Sequence, residues 1–203
     1  TVKGEDVGSV LSDGEEGIYK GCKHLLRSGH EEIVLIIEHG QFSSSEGKLK
    51  GYRDALESYK IPFRNELLSE VDQNSFENFE KEIKKVWINH KPTAFLASRI
   101  TLKLLKVLNK LGIECPTDVS VIGFGDEEWS EIVTPPLTML KQNTREIALQ
   151  EVDLLLRKID NYSDASPEIK VPMDLSIQQS TQVIGKGPFG ERTVSPEELT
   201  IST

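Results

Sequence analysis

The sequence is short of cysteine, of tryptophan and of positive charge. Its 203 residues include two cysteines, two tryptophans and 24 basic side chains against 33 acidic ones, so the formal net charge is −9. An acidic surface repels phosphate, which makes this segment a poor candidate for binding nucleic acid directly. The cysteines, Cys22 and Cys115, lie far apart and lack the spacing of a zinc site. We expect two free thiols in a reducing cytoplasm, and a single long-range disulfide is the alternative.

Long apolar runs are also absent. The longest, residues 33–37 (IVLII), has the length of a strand, whereas a membrane helix needs about 20 apolar residues. The first residues, 1–6 (TVKGED), do not contain the apolar core of a signal peptide. Both absences argue against a membrane partner and predict a protein of the cytoplasm.

Motifs of catalysis and of metal binding are missing as well. The sequence has no phosphate-binding loop, nucleophile elbow, HExxH or CxxC pattern. The glycine-rich stretch 185–190 (GKGPFG) follows the last predicted strand and contains a proline, which favours a flexible exit over a phosphate loop. The four histidines show no ligand spacing, and His30 after Gly29 is typical of a turn between a helix and a strand. The sequence therefore predicts no cofactor and no metal, and an enzyme is the least favoured interpretation.

What the sequence does contain is an alternation of short β-branched runs with amphipathic helical stretches. The predicted strands cover residues 6–11, 33–37, 67–68, 93–97, 119–124, 137–141 and 169–177. One predicted helix begins at residue 43, and the others cover residues 15–27, 74–88, 102–111 and 144–159. Strands and helices that alternate at this spacing are typical of a doubly wound, mostly parallel α/β sheet.

Several segments resemble a known family. Those that occur in the family's order are residues 22–30 (CKHLLRSGH), 51–56 (GYRDAL), 112–124 (GIECPTDVSVIGF), 135–142 (PPLTMLKQ) and 179–181 (QST). Together they resemble the effector-binding domain of LacI/GalR-type transcription regulators, which has the periplasmic-binding-protein-like type I fold. The resemblance extends over residues 13–181.

The resemblance implies two α/β subdomains joined by three crossovers, with the effector in the cleft between them. It assigns residues 1–29 to a partial N-terminal subdomain, residues 30–142 to a complete C-terminal effector-binding subdomain, and residues 143–162 to a helix returning to the N-terminal subdomain. Residues 163–181 would be the last strand of the C-terminal subdomain, and residues 182–203 a tail or linker. We therefore expect a truncated form, whose unpaired sheet edge and bare apolar helix faces need cover from a second copy or through aggregation.

The resemblance also implies which residues contact the effector. Asp13 matches the family's Asp that precedes the CKHLLRSGH helix, and Gln142 matches its Gln after PPLT. Lys48 falls where the family has an Arg three places before GY. A lysine keeps the charge but loses the bidentate fork with which a guanidinium binds vicinal hydroxyls or a carboxylate.

Other expected contacts depart further from the family. Ser98 and Arg99 stand where the family has an Asn-Asp pair after a strand, and Gly125 replaces an Asp, which leaves Asp126 one place late. A sugar is held by several charge-assisted hydrogen bonds, each worth about 1.5–3 kcal/mol. These departures predict a changed or weakened effector site, which calorimetric titration with pentoses, hexoses and disaccharides would test.

The leading interpretation is the sensing and dimerisation core of a bacterial transcription regulator. It would bind a small molecule, sugar-like or altered, and would act as a homodimer. It would reach operator DNA only through a headpiece that is not in this chain. The alternative is a ligand-binding sensor module fused to a different output domain, for which the helix start at residues 195–198 (SPEE) leaves room.

Overall fold

The computed structural model describes residues 8–38, 43–72, 75–125, 128–159 and 167–185. The strands are β1 Ser9–Ser12, β2 Ile33–Glu38, β3 Leu68–Val71, β4 Ala94–Ala97, β5 Ser120–Phe124, β6 Thr138–Gln142, β7 Glu168–Val171 and β8 Met173–Ser176. The α-helices are α1 Gly14–Arg27, α2 Ser43–Ser58, α3 Phe76–His90, α4 Thr101–Lys110 and α5 Thr144–Ile159. Short 3-10 helices lie at Asn65–Leu67 and Glu128–Glu131.

Six strands form one sheet in the order β3-β2-β4-β5-β6-β8. The first five run parallel to one another, and β8 runs antiparallel to β6. Every residue of β2, β4 and β5 is buried, which explains why these runs show no alternation of apolar and polar side chains. The expectation of a mostly parallel α/β sheet is therefore confirmed.

The sheet lies between two helical layers, as the side chains of β2 show. Ile33, Leu35 and Ile37 pack with residues of α1 and α2, whereas Val34 and Ile36 pack with residues of α3 and α4. Successive side chains of a strand point to opposite faces, so one apolar run supplies both layers of the core. This arrangement leaves the carboxyl ends of the parallel strands at one edge of the sheet.

Helices α1 and α2 approach each other very closely at a glycine. A Cβ atom on Gly51 would lie 2.1 Å from the carbonyl oxygen of Glu15. No side chain fits into that gap, so the glycine sets the distance between the two helices. Gly51 belongs to the family-like segment GYRDAL, and its physical role is to let α1 and α2 come into close contact.

The junction between α1 and β2 has the predicted form. Gly29 adopts the left-handed conformation with φ 91° and ends the helix. His30 is fully buried, and its Nε2 donates a hydrogen bond to the carbonyl oxygen of Gln182 at 2.9 Å. The histidine therefore joins the helix-to-strand turn to the end of the described chain. Cys22 and Cys115 are free thiols, as predicted.

Two strands form a separate small sheet, in which β1 and β7 pair in parallel. The single strand predicted at residues 169–177 is wrong, because β7 belongs to this small sheet and β8 to the large one. Pro172 separates them and has no backbone N–H to give to a ladder, so pairing stops there. The chain crosses between the two sheets here, between β1 and α1, and between β6 and α5. The predicted domain boundaries stay a prediction.

Helix α5 carries an apolar face that no described residue buries. The exposed side chains on it are Leu149, Val152, Leu155, Leu156 and Ile159, with exposed fractions between 53% and 64%. Such a stripe on a water-exposed helix is unfavourable unless another surface covers it. The expectation of a bare apolar helix face is thus confirmed.

Candidate functional site

The strand order creates a crevice between the carboxyl ends of β2 and β4. From β2 the chain passes to β3 on one side, and it then returns to β4 on the other side. In open parallel sheets, ligands bind at this kind of switch point, outside the carboxyl ends of the strands. Glu38 ends β2, and Ser98 directly follows β4. The fold alone therefore singles out these two positions and whatever lies between them.

A buried lysine lies in this crevice. Nζ of Lys48, on α2, donates a hydrogen bond to Oγ of Ser98 at 2.7 Å, and it lies 4.7 Å from the centroid of the Phe124 ring. Only 4% of the lysine is exposed. Burial lowers the pKa of Lys48, the negative charge of Glu38 raises it, and the positive charge of Arg99 lowers it. The switch point therefore holds a cation that is largely withdrawn from water.

The turn from β4 to α4 holds Ser98 in place. Its backbone N–H donates to the carbonyl of Ile36 at 3.0 Å and so extends the pairing of β2 with β4. Its carbonyl accepts from the N–H of Ile100 at 2.7 Å and from Oγ1 of Thr101 at 3.1 Å. With its backbone held by three hydrogen bonds, Ser98 presents its hydroxyl to Lys48 from a rigid position.

Glu38 is a buried carboxylate that the sequence analysis did not single out. It is 7% exposed, and its Oε1 has no hydrogen-bond partner in the described part of the chain. A buried acceptor without a partner costs about 1–3 kcal/mol, which is tolerated mainly where a function requires it. The sequence does contain a feature that could have identified Glu38, because it is a charged residue at the end of the otherwise apolar strand β2.

A cavity of about 260 Å³ opens beside this cluster, at the start of α4. The residues that line it are Arg99, Ile100, Thr101, Leu102, Lys103, Phe124 and Trp129. Phe124 also contacts the ammonium group of Lys48, so the cavity and the buried cation share a wall. The rings of Phe124 and Trp129 give it apolar surfaces, and neither aromatic residue was predicted from the sequence.

Two predicted contacts lie at the crossovers between the sheets instead. Asp13 accepts a hydrogen bond from the N–H of Glu16 at 3.0 Å and so caps α1. Nε2 of Gln142 donates to Oγ of Ser12 at 2.8 Å, which ties the crossover after β6 to the end of β1. Asp13 lines a second cavity, of about 280 Å³, between the first turns of α1 and the second half of α2.

The remaining predicted residues have different outcomes. Arg99 lies in the lining of the first cavity, next to Ser98. Asp126 lies outside the described residues. Gly125, the position of the missing family Asp, has φ 139°, and its N–H donates to the carbonyl of Leu140 at 3.0 Å. The structure thus brings Lys48, Ser98 and Arg99 together at one end of the sheet.

The described residues lack two other kinds of feature. No three His, Cys, Asp or Glu side chains lie close enough together there to hold a metal ion. None of the helices in the same ranges has both the length and the apolar character to cross a membrane.

Comparison with known proteins identifies the family. Residues 22–181 match the model of the periplasmic binding protein-like domain. The chain is 30% identical over 174 residues to the HTH-type transcriptional regulator DegA of Bacillus subtilis, a match that covers 85% of this chain and 51% of DegA. It is 26% identical over 181 residues to the HTH-type transcriptional repressor PurR of Actinobacillus pleuropneumoniae, with 87% and 54% covered.

A solved structure supports the same assignment. The transcriptional regulator CelR in complex with cellobiose superposes with a TM-score of 0.78 and 25% identity, over 87% of this chain and 54% of CelR. The chain spans about half the length of these relatives. Because the family model covers most of it, the chain belongs to the periplasmic binding protein-like domain family and is homologous to the ligand-binding domains of LacI-type transcriptional regulators.

Proposed function

We propose that the chain is the effector-sensing domain of a LacI-type transcriptional regulator and that it binds its ligand without transforming it. The small molecule binds at the carboxyl ends of β2, β4 and β5. The observation that carries this proposal is the buried Lys48 ammonium group at the switch point, beside an open cavity. A sugar-like ligand is the first class to test, since the CelR structure contains cellobiose.

The hydrogen-bonding capacity of Lys48 supports a ligand at this point. An ammonium group has three N–H donors, and among the described residues Ser98 is its one hydrogen-bond partner. Burying a cation with unused donors is unfavourable, and a ligand oxygen next to Nζ relieves that cost. The oxygen of Glu38 without a partner, in electrostatic range of the same ammonium group, is a second unused polar atom that suits a ligand hydroxyl.

Sensing requires two conformations with different ligand affinity. The crossovers between the small and the large sheet are the natural hinge, and the hydrogen bond between Ser12 and Gln142 joins two of them. A ligand that binds one arrangement better shifts the population toward it. Catalysis is not required for this role, and we assign none to the site.

We assign DNA binding to a separate headpiece, as in the HTH-type relatives. By homology to HTH-type regulators, we propose that a DNA-binding headpiece contacts the operator in the cytoplasm and that the regulator acts as a homodimer. The exposed apolar face of α5 supports association, because such a face needs cover. Sedimentation of the chain is expected to show a dimer, and a monomer at all accessible concentrations contradicts this part of the proposal.

Ligand binding is tested by replacing the buried lysine. In calorimetric titrations with pentoses, hexoses and disaccharides, the chain is expected to bind at least one sugar or sugar derivative. Lys48→Met keeps a side chain of similar length, removes the charge and is expected to weaken that binding at least tenfold, or about 1.4 kcal/mol. The matched control is Lys85→Met on α3, whose side chain is 68% exposed. Equal affinity of both variants contradicts the proposed site.

A further inference from the structure

The described charged residues that line the α4 cavity are of one sign. Arg99 and Lys103 line it, and no acidic side chain of the described residues does. Within the described residues, Arg99 has no ion-pair partner. This is unusual in a chain with a formal net charge of −9, in which an exposed cation has many carboxylates available. Among the described side chains, the cavity is therefore a local positive site on an acidic molecule.

Glu38, the described carboxylate at the switch point, acts on Lys48. Its negative charge stabilises the ammonium group of that lysine, which lies behind the Phe124 ring. Lys48 and Glu38 thus compensate each other in the buried part of the site. The guanidinium of Arg99 is left as the surplus charge at the cavity itself.

The backbone adds donors at the same place. Thr101, Leu102 and Lys103 form the first turn of α4, and all three line the cavity. The N-cap residue Ile100 has no side chain that accepts a hydrogen bond from this turn. The first N–H groups of a helix have no partner within the helix and attract anions. They reinforce the guanidinium of Arg99, which binds carboxylate and phosphate groups in bidentate fashion.

The side chains that line the cavity indicate the shape of an anionic ligand that would fit it. The rings of Phe124 and Trp129 offer apolar surfaces to a flat or ring-shaped body. The volume, about 260 Å³, lies below the range of about 300–1,000 Å³ that is common for drug-sized ligands. A small ring with one acidic substituent matches the cavity in size, in shape and in charge.

We propose that the effector is a small ring compound with a carboxylate or phosphate group, such as an acidic or phosphorylated sugar, and that Arg99 and the first turn of α4 bind its acidic group. This inference rests on the proposed sensing function and narrows its ligand class. Neutral sugars are then the weaker ligands.

The test compares neutral sugars with their acidic forms on the intact 203-residue chain. Three sets are titrated by calorimetry: glucose with glucuronate and glucose 6-phosphate, galactose with galacturonate and galactose 6-phosphate, and ribose with ribose 5-phosphate. In at least one set an acidic member is expected to bind at least tenfold tighter than the neutral parent. Its affinity is expected to fall as salt rises from about 0.01 to 0.15 M, because salt screens charge–charge attraction. Comparing the affinities of the carboxylate and the phosphate forms shows which acidic group is preferred.

Variants locate the binding to Arg99. Arg99→Gln is expected to lower the affinity for the acidic member at least tenfold and to leave that for the neutral parent within about twofold, whereas Arg99→Lys restores part of the loss. The matched control is Arg157→Gln on α5, which does not line the cavity and is expected to change nothing. Thermal unfolding of each variant is expected to match that of the wild type, because the Arg99 side chain is exposed.

The two proposals fail in different ways. If a neutral sugar binds as tightly as its acidic forms, or if Arg99→Gln leaves the acidic ligand unaffected, the anionic ligand class is wrong and the sensing function stands. If no member of any set binds, the ligand-binding function proposed above is contradicted together with this inference.

Discussion

Acid is expected to destabilise the protein through two buried histidines, His24 in α1 and His30 in the turn between α1 and β2. His24 is 7% exposed, and its Nε2 lies 3.3 Å from Oγ1 of Thr181. Burial, together with the positive charges of His30 and Arg27, lowers the pKa of His24 from 6.5 to about 4. Burial also lowers the pKa of His30, against the opposing effect of its hydrogen bond to the carbonyl of Gln182.

The direction and the size of the effect follow from these values. The unfolded chain takes up protons on these imidazoles at a higher pH than the folded protein, so acid favours unfolding. The stability that depends on neutral histidine is complete above pH 6.5 and is lost as the pH falls towards 4. One pKa unit corresponds to about 1.4 kcal/mol, so His24 alone accounts for about 2 kcal/mol at pH 5 and about 3 kcal/mol at pH 4. His30 acts in the same direction.

Urea denaturation at several pH values between 7 and 4.5 measures this loss. Carboxylates titrate in the same range, so the informative quantity is the difference between the wild type and His24→Gln, which cannot take up the proton. The free energy of unfolding of the wild type is expected to fall by about 2 kcal/mol more than that of the variant between pH 7 and pH 5. His90→Gln, at the end of α3, is the control and is expected to follow the wild type. Parallel pH dependences of the wild type and His24→Gln refute the reasoning.

Two further predictions concern packing and the crossovers. Gly51→Ala is expected to lower the free energy of unfolding by about 2 kcal/mol or more in urea denaturation, because its Cβ would lie 2.1 Å from the carbonyl oxygen of Glu15. Gly47→Ala, on the same helix with 3.7 Å to the nearest atom, is expected to leave stability unchanged or to raise it by up to about 1 kcal/mol; equal effects of the two substitutions would refute the helix contact. Gln142→Ala and Ser12→Ala are expected to show a coupling energy of about 1 kcal/mol in a double-mutant cycle, whereas additive effects would mean that their 2.8 Å hydrogen bond contributes nothing.

Much of the fold follows from local signals in the sequence. Helix α5 was predicted at residues 144–159, and the structure has the same bounds. Asn143 explains the start, since its Oδ1 accepts from the N–H of Glu146 at 3.0 Å and satisfies one of the free donors of the first turn. The buried strand at residues 33–37 was equally clear, because an apolar run without alternation is typical of a strand covered on both faces.

Other elements depend on contacts that no local pattern encodes. The run at residues 169–177 reads as one strand, yet Pro172 divides it between two sheets, and only the tertiary arrangement decides which sheet each half joins. The strand predicted at residues 67–68 is observed at Leu68–Val71, after a 3-10 helix at Asn65–Leu67. Short elements like this one take their bounds from their partners, here the pairing of β3 with β2.

The candidate site could be predicted only in part for the same reason. Lys48 and Ser98 were both expected to contact the effector, but they are separated by 50 positions, and their hydrogen bond exists because β2 and β4 are neighbours. Glu38 and Phe124 were missed, since each ends an apolar strand, Glu38 belongs to no recognisable motif, and the segment GIECPTDVSVIGF, which ends at Phe124, assigns that residue no contact. Glu38 and Phe124 lie near the switch point because of the strand order, and the strand order cannot be read from local sequence patterns.

The central claim, that a small molecule binds at the carboxyl ends of β2, β4 and β5, is tested most directly by amide chemical shifts. The ¹⁵N-labelled chain is titrated with whichever of the sugars or acidic sugars binds. The largest shifts are expected on residues 98–103 and on Phe124 and Gly125, whereas the last turn of α3, which leads into the amino end of β4, is expected to be unchanged. Saturable shifts centred on another part of the chain would contradict the central claim.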